Sequence, residues 1–587
     1  MIHPLRFLVL AGIAFVGLPL ASSSLSLNAQ ELARPPREPV DVAQGKLGVV
    51  VSDTEYASKV GEELLAKGGN AVDAAIGVAF ALEVTWPEAG NIGGGGFMMI
   101  APPEEDVFCI NYREKSPANV TAQSFDDWEE HRHIRMAGVP GTVRGMELAH
   151  QKYGKLPWKE IIAPSIALAR DGITVDPYLA YSLNNVLSLD YIQNLPRFAE
   201  LRRVYGHPDG RMWQAGEKLF QPDLANSLTL IAEQGADAFY EGSIARQIAA
   251  ESKRTGGLIT EKDLQEYTAQ ALPAMEAEFG PYTVYGAPLP SSGGTTVLLH
   301  LRMLEQLDFP RDSDEYWTAE QVHLLTEVMR RGFRERAAWL GDPDFVTVPS
   351  DLTSVEHAKT LAATIKLDRA TRSEDIAGDI KIAEGPYESM ETTHFSVIDK
   401  DGMAVSNTYT LEGTFGCRIV VPGTGILLNN EMGDFNWYPG HTDRDGNIGT
   451  AANQIAPGKR MLSSQSPMIV RENGQAKLLI GSPGGRTIIN TVTEVLAQTL
   501  ILERPLDVAI DGPRFHHQWF PDQVRFESID NGVFEDIKPK LEAMGHNLER
   551  RETWRQGAAN GIIVDLSTGE AQGVADWRRG GSAKAVK

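Results

Sequence analysis

The stretch Ser389–Gly416, SMETTHFSVIDKDGMAVSNTYTLEGTFG, decides how this chain is read. Apolar and polar residues alternate on both sides of Asp401-Gly402, and that pair is a two-residue turn signal. The stretch therefore predicts a β-hairpin, with Thr392 and Thr393 at its head. Threonine is β-branched and suits a strand, which accounts for the pair without any chemistry. A chemical reading stands beside it. If the chain is cut before Thr392, the hydroxyl lies next to its own α-amine. That amine titrates at roughly 7.7–8.0 and can take a proton near neutrality. Nucleophile and base then sit at a fixed separation, which lowers the barrier to acyl transfer. The same hydroxyl can first attack the Glu391 carbonyl, shift the acyl group from N to O, and release the new terminus by hydrolysis. The hairpin alone leaves both readings open.

The rest of the 587 residues bounds the function. The chain is 42% hydrophobic and 23% charged, an ordinary globular balance with room for a large core. Its formal net charge of −23 repels phosphate backbones and anionic lipid, which argues against nucleic acid as a partner. A small anionic substrate needs local cations to bind at all. Arg6, the uncharged apolar run Phe7–Leu20 and the small polar run Ser22–Ala29 follow the plan of a secretory leader. The run is shorter than the roughly 20 residues a bilayer requires. Residues 1–29 are expected to be a leader, cut after Ser23 or Ala29. The mature chain is then exported, periplasmic or extracellular, with no stable membrane span.

Along the chain, Ala57, Val60, Gly61 and Leu64 repeat at helical spacing, and Gly68-Gly69 ends that helix. Asn70 caps a second helix that is apolar on all sides and stops at Pro87. Gly93–Gly96 precede an apolar strand, either as a turn or as a place where backbone approaches a ligand or another strand. A second hairpin centres on Asn473-Gly474, and a helix follows near Thr491–Glu503. Cys109 and Cys417 either pair or sit as buried small residues. His516-His517 lacks a third ligand partner and reads as structural. Helices first, sheet later and helices again point to layered α and β elements.

Several segments carry a resemblance. They include GGNAVDAAIGVAFALEV, AGNIGGGGF, NYRE, GVPGTVRGMELAHQKYG, PLPSSGG, GDPDF, TTHFSVIDKDG, TYTLEGTFG, GILLNNEMGDF, GKRMLSSQSP, GSPGG and PRFHHQW. In number, order and spacing the chain resembles the γ-glutamyltransferases (glutathione hydrolases) of the N-terminal-nucleophile hydrolase superfamily. The resemblance implies an α+β fold, a four-layer αββα sandwich. It implies cleavage between Glu391 and Thr392 into a large subunit (30–391) and a small catalytic one (392–587) that stay together as a heterodimer. By matching positions, Thr392 resembles the nucleophile and Thr410 the threonine that hydrogen-bonds it. Gly484 and Gly485 resemble the oxyanion hole, although alone they read as a turn after a strand. Arg113, Ser463 and Ser464 fall where the family holds the substrate α-carboxylate. Glu431 and Asp434, with Glu412 nearby, fall where it holds the α-ammonium. Substrates would be glutathione or other γ-glutamyl compounds, with water or amino-acid and peptide amines as acceptors. No metal or organic cofactor is implied.

Some positions depart from the family pattern. Glu412 stands where some members carry Asn and Glu431 where some carry Gln, which with Asp434 puts up to three acids around one ammonium. Trp86 precedes Pro87 where many have His. Met403 follows the hairpin glycine where a small polar residue is usual, and only a local packing change is expected. Residues 435–458 match the length of the family's lid, but its tyrosine has no counterpart, leaving Trp437 or Tyr438 to cover the site. Two rivals remain: an acylase of the same superfamily acting on glutaryl-cephalosporin-type amides, and an uncut envelope binding protein.

Overall fold

In the computed structural model the described residues are 34–121, 123–125, 132–311, 313, 315–383, 392–529 and 532–587. The expected leader and Glu391 lie outside them. Both predicted hairpins form. Thr393–Asp399 pairs antiparallel with Ala404–Thr410, and Thr393 lies opposite Tyr409. Met468–Glu472 pairs with Gln475–Gly481 across Asn473 (φ 51°) and Gly474 (φ 79°), the two left-handed residues that a tight hairpin turn requires.

Each hairpin sits inside a seven-stranded antiparallel sheet. The first hairpin is flanked by Gly48–Ser52 on one side and Gly95–Ala101 on the other. That sheet ends in Ser582–Ala585 at one edge and Gln270–Pro273 at the other. The second hairpin lies between Tyr282–Gly286 and Asn560–Asp565 in the other sheet.

Alternation along the strands sends side chains to two faces, and three cores result. Val49, Val51, Met99 and Ile398 of one sheet meet Ile469, Leu479 and Ile562 of the other in the layer between them. On the outer face of the first sheet, Phe395, Val397 and Val405 pack against the helices Glu55–Ala66 and Ala71–Thr85. On the outer face of the second, Val284, Met468 and Leu478 pack against Ser292–Glu305, Ala319–Trp339 and Thr487–Leu496. The architecture is the αββα sandwich.

The buried helix Ala71–Thr85 follows its expected plan. Asn70 and Asp73 form a reciprocal capping box, and every residue of the helix is buried. The expected helix near Thr491 begins earlier, at Thr487, and ends in a π turn at Ala497–Ile501. The glycine run settles as close approach: a Cβ on Gly94 would stand 2.1 Å from the Thr410 carbonyl oxygen. Cys109 and Cys417 are free and fully buried. His516 and His517 are held by Asn490, Gln518 and Asp522 in the core. Among the described residues no helix is long and apolar enough to cross a membrane.

Candidate active site

Thr392 lies at the mouth of the first hairpin, and its carbonyl accepts a hydrogen bond from Arg579 Nη1 at 2.9 Å. The next residue is pinned from below. Thr393 Oγ1 donates to Asp53 Oδ2 at 2.5 Å, and Asn560 Nδ2 donates both to Asp53 Oδ1 (2.7 Å) and to the His394 carbonyl (2.9 Å). Burial lifts the Asp53 carboxyl to about 6, against the opposing pull of Arg579 and of its hydrogen bonds to Thr393 and Asn560. His394 is also buried. Its imidazole meets the hydroxyls of Thr408 and Ser396 at 2.8 and 3.1 Å, and burial holds its pKa at about 3, so it is a neutral structural group.

A cleft of about 250 Å³, including its mouth, opens beside Thr392. Of the residues expected at the site, Thr410, Glu412, Asp434, Ser463, Ser464 and Gly485 line it together with Thr392. The chain folds so because three loops are tied to one another. Thr410 Oγ1 accepts from the Glu412 N–H at 2.8 Å, and Glu412 takes a left-handed φ of 73°. Asn430 accepts from the Gly413 N–H at 2.9 Å, and its own N–H donates to the Leu411 carbonyl at 3.0 Å. The turn Glu431–Asp434 is thereby held against the end of the hairpin strand.

Gly484 and Gly485 precede the helix Thr487–Leu496 and have φ of 128° and 57°. A Cβ on Gly484 would stand 2.5 Å from Thr487 Oγ1. Among the described residues neither glycine N–H finds an acceptor, while both carbonyls receive bonds from the helix start. Two unsatisfied amides at a helix N-terminus suit a developing negative charge.

Arg113 and Glu431 are not on the cleft wall. Arg113 is fully buried and makes ion contacts with Glu431 (2.6 Å), Glu114 (3.3 Å) and Asp434, so the reading of it as a surface strand end is excluded. Among the described residues no group makes a well-aligned hydrogen bond to either Glu431 oxygen. Burial pushes the Glu431 and Glu114 carboxyls up despite Arg113, and the neighbouring acids add to the effect. One guanidinium thus faces three carboxyl groups in a largely buried cluster, with Glu412 close enough to act on Glu431. An added cation would relieve that imbalance.

Besides Asp53, sequence reasoning missed two residues. Arg336, on the helix Ala319–Trp339, donates from Nη2 to Ser464 Oγ (3.0 Å) and from Nε to Ser292 Oγ (2.8 Å). Burial and the nearby Arg486 bring its pKa down to about 9, so its charge is poorly compensated. Gln465 lines the cleft, and neither atom of its side-chain amide has a partner among the described residues. The PLPSSGG segment supports both positions. Ser291 Oγ donates to the Gln465 carbonyl at 2.5 Å, and Ser292 Oγ to the Ser463 carbonyl at 2.6 Å. The two cover candidates do not close the cleft. Trp437 donates to the Met432 carbonyl and packs on Phe125 at 4.6 Å between ring centres, whereas Tyr438 is 56% exposed.

This geometry can be set against known proteins. The model of the γ-glutamyltranspeptidase family matches residues 57–586. The chain belongs to that family. The glutathione hydrolase proenzyme of Escherichia coli is 40% identical over 563 residues, covering 93% of this chain and 94% of its own. That of Pseudomonas aeruginosa is 40% identical over 527 residues, covering 88% of this chain and 91% of its own. Among solved structures, a cephalosporin acylase from Bacillus halodurans superposes with a TM-score of 0.82 at 25% identity. It covers 96% of this chain and 99% of its own. The γ-glutamyltranspeptidases thus give this chain its family, and the αββα layers are the N-terminal-nucleophile hydrolase fold.

Proposed function

We propose that this family member is a glutathione hydrolase/γ-glutamyltransferase that cuts itself before Thr392 and is exported. The freed Thr392 Oγ attacks the γ-carbonyl of glutathione or a related γ-glutamyl amide, and the α-amine takes the hydroxyl proton. The Gly484 and Gly485 N–H groups hold the tetrahedral oxyanion. The amine proton passes to the departing nitrogen, and a γ-glutamyl ester of Thr392 remains. Water, or the amine of an amino acid or peptide, then takes the acyl group by the reverse path. Thr410 orients the nucleophile, and no cofactor enters any step.

The observation that carries this reading is the single cleft shared by Thr392, Thr410, Asp434, Ser463, Ser464 and Gly485. Its charges match a γ-glutamyl head. The ammonium supplies the cation that the Arg113, Glu431, Asp434 and Glu114 cluster lacks. The carboxylate meets Ser463 and Ser464, with Arg336 behind them and Arg113 drawn from its acid partners. Hydrolysis of γ-glutamyl-p-nitroanilide, with and without a dipeptide acceptor, tests the activity. Parallel assays with glutaryl-p-nitroanilide test the head group. Turnover of the γ-glutamyl amide that a dipeptide accelerates supports the transferase. Preference for the glutaryl amide would assign the chain to the acylases instead.

A further inference from the structure

A second hollow, sharing no wall residue with the cleft, gathers cations on a chain whose net charge is −23. It holds about 750 Å³ including its mouth. Five guanidinium groups line it, from Arg34, Arg37, Arg555, Arg578 and Arg579. Only one carboxylate does so, that of Glu88, which accepts from Ser182 and lies 4.0 Å from Arg579. Two of the cations are neutralised: Arg37 pairs with Asp511 at 2.7 Å, and Arg578 pairs with Glu527 and Asp576 at 2.8 and 3.1 Å. Arg34 and Arg555 are not. Arg34 reaches only the Tyr181 hydroxyl, and Arg555 only the Glu552 and Trp554 carbonyls. Among the described residues neither meets a carboxylate. Burial lowers the Arg555 pKa, with Arg34, Arg578 and Arg37 adding to that and Glu527 opposing it.

The remaining walls are aromatic. Trp577 lies under Arg37 and Arg555, at 5.1 and 5.8 Å from its ring centre. Trp86, the residue that departs from the family pattern, forms another wall. The indole N–H groups of Trp86 and Trp577 are buried and have no hydrogen-bond partner among the described residues. Unpaired buried donors are costly until a ligand satisfies them, and Arg34, exposed, and Arg555, half-buried, are open to an anion.

We propose that this hollow is a binding site for a small organic anion bearing a planar ring, an aryl carboxylate in the simplest case. Arg34 and Arg555 take the carboxylate, Trp577 and Trp86 stack on the ring, and an indole N–H supplies a further hydrogen bond. Arg579 lines the same hollow and holds the Thr392 carbonyl, so bound ligand and nucleophile share one guanidinium.

Calorimetry on the full purified protein tests the site directly and does not depend on cleavage or γ-glutamyl transfer. The probes are benzoate, its neutral isostere benzamide, and inorganic phosphate. Benzoate is expected to bind at one saturable site and benzamide not to bind. Affinity for benzoate should fall about tenfold or more in Arg555→Ala and in Trp577→Phe. Arg555→Lys should keep most of it, which controls for folding. Ser464→Ala, in the cleft, should leave it unchanged. No benzoate binding, or binding indifferent to both Arg34→Ala and Arg555→Ala, would overturn the site. Phosphate binding as tightly as benzoate would overturn its aromatic selectivity.

Discussion

Arg336 places a guanidinium behind the serine pair that faces Thr392, and among the described residues its hydrogen bonds go to two hydroxyls. A hydrogen bond to a charged group contributes about 1.5–3 kcal/mol. Arg336→Met should therefore raise KM for γ-glutamyl-p-nitroanilide by about 10- to 100-fold with a smaller change in kcat. A fall in kcat at constant KM would contradict a role in holding the carboxylate. Beside the cleft, the surplus of acids predicts strong discrimination against glutaryl amides, because without the ammonium the buried acids stay uncompensated. Comparable kcat/KM for glutaryl and γ-glutamyl amides would refute it. Asp53 gives a pH prediction. Its carboxyl is lifted from an ordinary 3.8 to about 6 in the fold, so the native state binds its proton more tightly than the unfolded chain. Stability from this group is present below pH 3.8 and is lost as pH rises through 6. Asn cannot titrate. Wild-type stability relative to Asp53→Asn should thus fall by about 3 kcal/mol between roughly pH 4 and 7, measured by denaturant unfolding. A pH-independent difference would count against a buried, titrating Asp53.

At the scale of elements, what could be read in the sequence was what is local. The two hairpins announce themselves through alternation around Asp401-Gly402 and Asn473-Gly474, and the buried helix through Asn70 and the apolar run after it. The cleft residues Thr392, Thr410, Ser463 and Ser464 came from motifs at such element ends. Arg336 and Asp53 did not, because their partners lie 128 and 340 residues away along the chain and meet only in three dimensions. Arg113 was expected at the site from its motif, but its burial among acids was not legible, since neighbours from distant loops set it. The strand-to-helix turn carries its own prediction. Gly484 has φ of 128°, where L side chains are strained, and its Cβ would crowd Thr487. Gly484→Ala should turn one amide away from the oxyanion and cost about 10²–10³ in kcat. Unchanged kcat would remove this turn from the mechanism.

At the scale of the whole molecule, the topology interleaves the two sides of Thr392. The sheet that holds Thr393–Asp399 takes Gly48–Ser52 and Gly95–Ala101 from before Thr392 and Ala404–Thr410 and Ser582–Ala585 from after it. The other sheet is mixed likewise, with Tyr282–Gly286 beside Met468–Glu472. A broken peptide bond at Thr392 leaves these ladders intact, so the fragments should elute as one species under native conditions and part only when denatured. The most direct test is mass mapping of the fragments from freshly purified protein, alongside Thr392→Ala. The account predicts two chains, the smaller beginning with threonine at 392, and an uncut, inactive variant. An undivided chain that still turns over γ-glutamyl amides, or a new terminus at another residue, would contradict it.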